Sequence, residues 1–185
     1  MDFSADEIPE RLLQGDREVD NHFSPEESLY IRCFSDHVTE NGRVLALGFR
    51  FPNFSCNRER YGELADVLYP VYLDWGVATY QVRQVPSPLL SGDQKRTFDI
   101  KVEHDPLEHN YPHCEIRAFE ERSKTDSVPK AVKKRFRQEM SERASVLKTP
   151  DLSSQEWAEV KEERNKLAEE IIRRSLEKHR SDTEF

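Results

Sequence analysis

Between His104 and Arg117 the chain reads His-Asp-Pro-Leu-Glu-His-Asn-Tyr-Pro-His-Cys-Glu-Ile-Arg, which places His104, His109 and His113, half of its six histidines, within ten residues. Three imidazoles with a nearby carboxylate, Glu115, are the donor set of many zinc and iron sites. In a metal-dependent hydrolase or nuclease the histidines would hold a divalent cation. Glu115 would then ligate it or act as the base toward water. The same run also reads as a turn, because Asp105-Pro106 and Asn110-Tyr111-Pro112 are turn formers. Histidines in such a turn cap carbonyls or face solvent.

The chemistry of other motifs narrows the field. His113-x-Glu115 matches the His-x-Glu element of zinc deaminases, but the Pro-Cys-x-x-Cys element that must accompany it is absent. Asp99-Ile100-Lys101, with Asp74 upstream, has the acid-x-Lys pattern of restriction-type nucleases. In a chain with 35% charged residues that tripeptide also arises as a solvated strand face. Arg32-x4-His37 and Arg174-x4-His179 have the spacing that HEPN-type ribonucleases use on a helix, where arginine steadies a phosphate and histidine moves a proton. The six glycines form no P-loop, no GxGxxG and no GxSxG elbow, so a dinucleotide cofactor is not expected.

Two further surfaces could bind. Lys130, Lys133, Lys134 and Arg137 recur at helical spacing and could track a phosphate backbone or meet an acidic partner. Arg58 and Arg60, beside Phe51 and Phe54, could extend that surface. Trp157, Val160, Leu167 and Ile171 mark a narrow apolar seam on a charged C-terminal helix, the expected site of a protein partner with Trp157 as anchor.

Certain elements must position these residues. Ser24-Pro25-Glu26-Glu27 is a helix-start pattern, predicting a helix over 25–36. Asn41-Gly42 predicts a turn, and the apolar run 44–51 a central strand. Residues 58–68 have helical spacing. Strands are expected over 77–85, 97–103 and 113–119, the last two with clean alternation. Strands 97–103 and 113–119 would form a hairpin, bringing His104 near His113 at its mouth. A helix follows to about Leu147, with Val132, Phe136, Met140, Ala144 and Leu147 as its stripe, and a last helix from Ser154 to Lys178.

This predicts an α+β fold: an antiparallel sheet of about four strands, packed helices and two C-terminal helices. Residues 1–28 would be an acidic arm, 29–123 the core domain and 124–185 a helical region. Charge is segregated in the same way. Residues 1–30 carry nine acids against two bases, and residues 124–148 eight bases against three acids, within a net charge of -8. An overall acidic surface argues against a general nucleic-acid binder, but not against a local basic patch. Three widely spaced cysteines without a CxxC fit a reducing compartment, and no apolar run is long enough for a membrane helix. The expectation is a cytoplasmic interaction or assembly subunit of a larger complex, one that could handle nucleic acid. The alternative is the metal-dependent hydrolase.

Overall fold

The structure is a computed structural model that describes residues 8–68 and 75–149. Its frame is one antiparallel sheet curved into a half-barrel. The strands are β1 Ser28–Cys33, β2 Phe54–Arg58, β3 Gly76–Gln81, β4 Leu89–Leu90, β5 Thr97–His104, β6 His113–Glu120, β7 Ser123–Lys124 and β8 Ser145–Lys148. They lie in the order β4-β5-β6-β2-β1-β3-β8, with β7 paired to β6. The single α-helix among the described residues, α1, covers Lys130–Arg143. The α+β expectation of about four strands with packed helices is therefore corrected to a mostly β architecture.

The largest correction is at 25–36. Ser24 to Glu27 forms only a turn, and Ser28–Cys33 is a central strand hydrogen-bonded to β2 on one side and β3 on the other. Its burial has period two: Leu29, Ile31 and Cys33 enter the core while Tyr30 and Arg32 take the other face. A strand paired along both edges satisfies its backbone groups in the interior, which outweighs a local capping pattern. The reverse happens at 44–51. That run forms no strand but a 3-10 turn, Ala46–Gly48, with Val44, Phe49 and Phe51 set into the core and Leu47 left 55% exposed. Residues 58–68 form two short 3-10 turns, Glu59–Tyr61 and Leu64–Val67, rather than a helix.

Where side-chain periodicity was clean, the elements match it. Asn41-Gly42 is a turn with Gly42 at φ 74°, a value glycine adopts without steric cost. β5 buries Phe98 and Ile100, and β6 buries Cys114, Ile116 and Ala118. The two pair antiparallel with His104 opposite Cys114. β3 does not continue their meander; it pairs with β1 and β8. α1 buries Val132, Phe136 and Met140, whose 3.6-residue period matches the expected stripe. It stops at Arg143, because Ser145–Lys148 pairs with the outer edge of β3 instead of continuing the helix.

The core lies between α1 and the sheet face that carries Leu29, Ile31, Cys56, Ala78, Ile100 and Ile116. The ring of Phe136 stacks on Phe51 with centroids 4.1 Å apart. The opposite face of the sheet is more polar and carries Asn57, His113, Glu115 and Arg117, whereas His104, paired opposite Cys114, lies on the core side. No helix among the described residues is long and apolar enough to cross a membrane.

Candidate functional site

The acidic N-terminal segment is a strap fixed across one end of the sheet. Its anchor is Arg58, whose side chain is 0% exposed at the end of β2. The Arg58 Nε donates to Glu27 Oε1 at 2.6 Å, and its Nη2 donates to Glu27 Oε2 at 2.9 Å and to the His22 carbonyl at 2.8 Å. Nη1 donates to the Asp20 carbonyl. The guanidinium also lies over the Phe23 ring, 3.9 Å from its centroid. This is a bidentate carboxylate pair inside the fold, where arginine's planar fork matters most. Arg58 is thus a structural clamp, not an extension of a basic surface.

His104 completes the clamp. Its Nδ1 accepts the Asp20 backbone N–H at 2.9 Å, and its Nε2 lies 2.7 Å from the Tyr111 carbonyl. An acceptor at Nδ1 and a carbonyl at Nε2 define the neutral imidazole with its proton on Nε2. Burial holds its pKa below the usual histidine value against the opposing bond to Tyr111. Both ring nitrogens are occupied by backbone groups. Asp20 is held down at about 2, first by the Tyr61 hydroxyl and then by the His22 N–H.

Both folded-state values lie below the unfolded ones, so both groups stabilise the fold above those values and lose that contribution as pH falls. The Asp20 amide should therefore exchange faster with solvent as pH falls below about 6.5, where His104 charges in the opened chain before it does in the folded one, and faster again between about pH 4 and 2. Hydrogen exchange corrected for intrinsic pH dependence measures this. Unchanged protection from pH 7 to 4 would contradict the assignment of His104.

The rest of the histidine run is divided. His109 is exposed in the hairpin loop, with Nε2 3.9 Å from Glu108. His113 is 7% exposed, and its Nδ1 lies 2.5 Å from the Asp105 carbonyl, leaving Nε2 as the available acceptor. Glu115 faces Arg117, which donates to it at 2.8 Å and also reaches Glu103 at 3.1 Å and Asp105 at 2.5 Å. Three carboxylates are therefore committed to one guanidinium. Among the described residues no group of three or more His, Cys, Asp or Glu side chains could hold a metal ion, so the hairpin does not assemble His104, His109, His113 and Glu115 into one centre.

His113 instead lines an open cleft of about 420 Å³ on the polar face of the sheet. β1 contributes Tyr30 and Arg32, β2 contributes Ser55 and Asn57, and the segment before β2 contributes Gly48, Arg50 and Asn53. Phe34, His37 and Trp75 form another wall, and Asn110 comes from the hairpin loop. Trp75 packs on Phe34 with ring centroids 3.8 Å apart. Arg32 is oriented by its Nε, which donates to the Val67 carbonyl at 2.5 Å. Asn57 and Asn110 hold each other through reciprocal amide hydrogen bonds of 3.0 and 3.3 Å. His37 is 7% exposed, and its Nδ1 is buried without a hydrogen-bond partner. Its pKa is lowered by burial, with Asp36 opposing and Arg50 adding to the shift. Among the described lining residues there is no carboxylate.

The Arg32-x4-His37 spacing thus marks two cleft residues, although Arg32 sits on a strand and not on a helix. Apart from His113, the remaining cleft residues carry no linear signal, because register between distant segments brings them together. Lys130, Lys133, Lys134 and Arg137 lie on α1, on the other side of the sheet. Lys130 and Lys134 are exposed, and none of the four forms an ion pair with a described residue. Trp157, Val160, Leu167 and Ile171 lie outside the described residues, as does Asp74 of the nuclease pattern.

No family model, no curated protein and no solved structure matches this chain.

Proposed function

We propose that the chain is a nucleic-acid-handling interaction subunit, and that its cleft receives an unpaired nucleotide, free or as a unit of a single strand. The observation that carries this reading is the chemistry of the cleft wall. A chain of net charge -8 presents a concave surface with two cations, Arg32 and Arg50, beside the imidazoles of His37 and His113, and no described carboxylate. Such a wall favours an anionic ligand. The rings of Tyr30, Phe34 and Trp75 line the cleft beside it, and Asn53, Asn57 and Asn110 bring amide groups. Cations for phosphate, rings for stacking and amides for base edges are the parts of a single-strand site. The metal-hydrolase alternative lacks comparable support, since His104 and Glu115 are engaged elsewhere.

Fluorescence anisotropy with labelled single-stranded RNA and DNA tests the proposal. Arg50 is exposed, so Arg50→Glu leaves the fold intact. It should weaken binding at least about tenfold and flatten the salt dependence by about one counterion. Lys134→Glu, on α1, is the comparison. Loss of binding in Lys134→Glu with none in Arg50→Glu would move the interface to the helix and overturn the cleft assignment.

A further inference from the structure

We propose that Cys56 and Cys114 are a modification site: a peroxide converts them into an intrachain disulfide across β2 and β6. The two residues are direct partners in the antiparallel register, although 58 positions separate them in sequence. Directly opposed residues in such a pair have Cα atoms about 4.5–5.5 Å apart, inside the span a disulfide requires. Their Sγ atoms lie 3.1 Å apart. Each sulfur also faces the carbonyl of the other residue, at 3.6 Å for Cys56 and 3.5 Å for Cys114. The thiols are thus aimed at each other. The buried Tyr80 hydroxyl lies against Cys56.

The burial of the pair selects the oxidant. Cys56 and Cys114 are 3% and 0% exposed, so burial disfavours attack by a bulky disulfide such as oxidised glutathione more than by a small oxidant. Burial also lifts the Cys114 thiol well above its ordinary value, which slows reaction through a thiolate. Hydrogen peroxide is small and uncharged. One thiol attacks it and becomes a sulfenic acid, releasing one water. The second thiol then displaces the hydroxyl group, forming the S–S bond and releasing a second water. Two thiols are oxidised by two electrons and one peroxide is reduced, with no other reactant. Cys33 is also buried, and its thiol is pushed up to about 11 by burial, but among the described residues no other sulfur lies within bonding reach of it.

The site has a structural consequence. The β2–β6 pairing joins the β5–β6 hairpin to the rest of the sheet, and its other face presents Asn57 and His113 to the cleft. A covalent bond there locks the seam between the two halves of the cleft floor.

Peptide mapping of the full chain tests this directly. Reduced protein is treated with hydrogen peroxide, quenched, alkylated in denaturant and digested with trypsin without reduction. Cleavage after Lys and Arg puts the three cysteines on separate peptides, 33–43, 51–58 and 102–117. The expected product is 51–58 joined to 102–117, lost on adding dithiothreitol, with Cys33 still alkylated. The oxidised chain should also melt about 5 °C higher or more. Full alkylation of all three cysteines, linkage through Cys33, irreversible over-oxidation without a link, or a lower melting temperature in the linked form would each overturn the proposal.

Discussion

Replacing Arg58 by alanine should cost the fold about 3–5 kcal/mol and release the strap formed by residues 8–27. The size follows from what is left behind. The side chain of Glu27 is 7% exposed and would lose both of its guanidinium hydrogen bonds. The carbonyls of Asp20 and His22 would lose their donors as well. An uncompensated buried carboxylate is among the most destabilising defects a substitution creates, and folded domains have only about 5–15 kcal/mol to lose. Arg58→Lys should recover little, because one ammonium cannot meet two carboxylate oxygens and two carbonyls in arginine's planar geometry. Arg60 is the contrast. It is 53% exposed and reaches Asp20 at 3.3 Å, so Arg60→Ala should cost less than about 1 kcal/mol. Urea unfolding gives the free energies, and limited proteolysis reports the strap. Equal costs for Arg58→Ala and Arg60→Ala would show that the clamp is not what holds the segment.

Phe136→Ala should cost about as much, about 3–5 kcal/mol, for a different reason. Phe136 is 0% exposed at the middle of the buried face of α1, so truncation leaves a cavity between the helix and the sheet. It also removes the stacked pair with Phe51, at 4.1 Å and an interplanar angle of 19°. Such a pair adds about 0.5–1.5 kcal/mol beyond the area it buries. A double-mutant cycle with Phe51→Leu should therefore show coupling within that range. A cost below about 1.5 kcal/mol for Phe136→Ala would mean that α1 is not seated in the core as described. Because α1 is the helix that covers the apolar face, its loss should also abolish cooperative unfolding.

These two residues mark what the sequence could and could not disclose. Phe136 was legible, since Val132, Phe136 and Met140 recur at the helical period and one face of α1 is buried. β5 and β6 were legible for the same reason with period two. Arg58 was not, because a lone arginine near an aromatic loop looks like surface, and its partners Asp20 and Glu27 lie more than thirty residues upstream. β1 was misread because Ser24-Pro25-Glu26-Glu27 has the local chemistry of a helix start. What decides that segment is pairing on both sides with strands that begin 26 and 48 residues later. For a related reason the histidine run forms no group of three metal-ligating side chains among the described residues. Composition brought His104, His109 and His113 together, but backbone partners claim His104, solvent takes His109 and the cleft takes His113. The cleft itself is built from stretches between Tyr30 and His113, and only Arg32-x4-His37 and His113 left a trace in the linear pattern.

The central claim is that the cleft, whose described lining has no carboxylate, binds a nucleotide, and Trp75 allows it to be tested at the site. The chain has two tryptophans, so Trp157→Phe leaves Trp75 as the only one. Titration of that protein with adenosine monophosphate and with a short single-stranded RNA should change its emission saturably, more strongly for the RNA, and Arg50→Glu should remove the response at the same concentrations. Unchanged Trp75 emission with both ligands, in protein whose circular dichroism matches the folded wild type, would contradict the account.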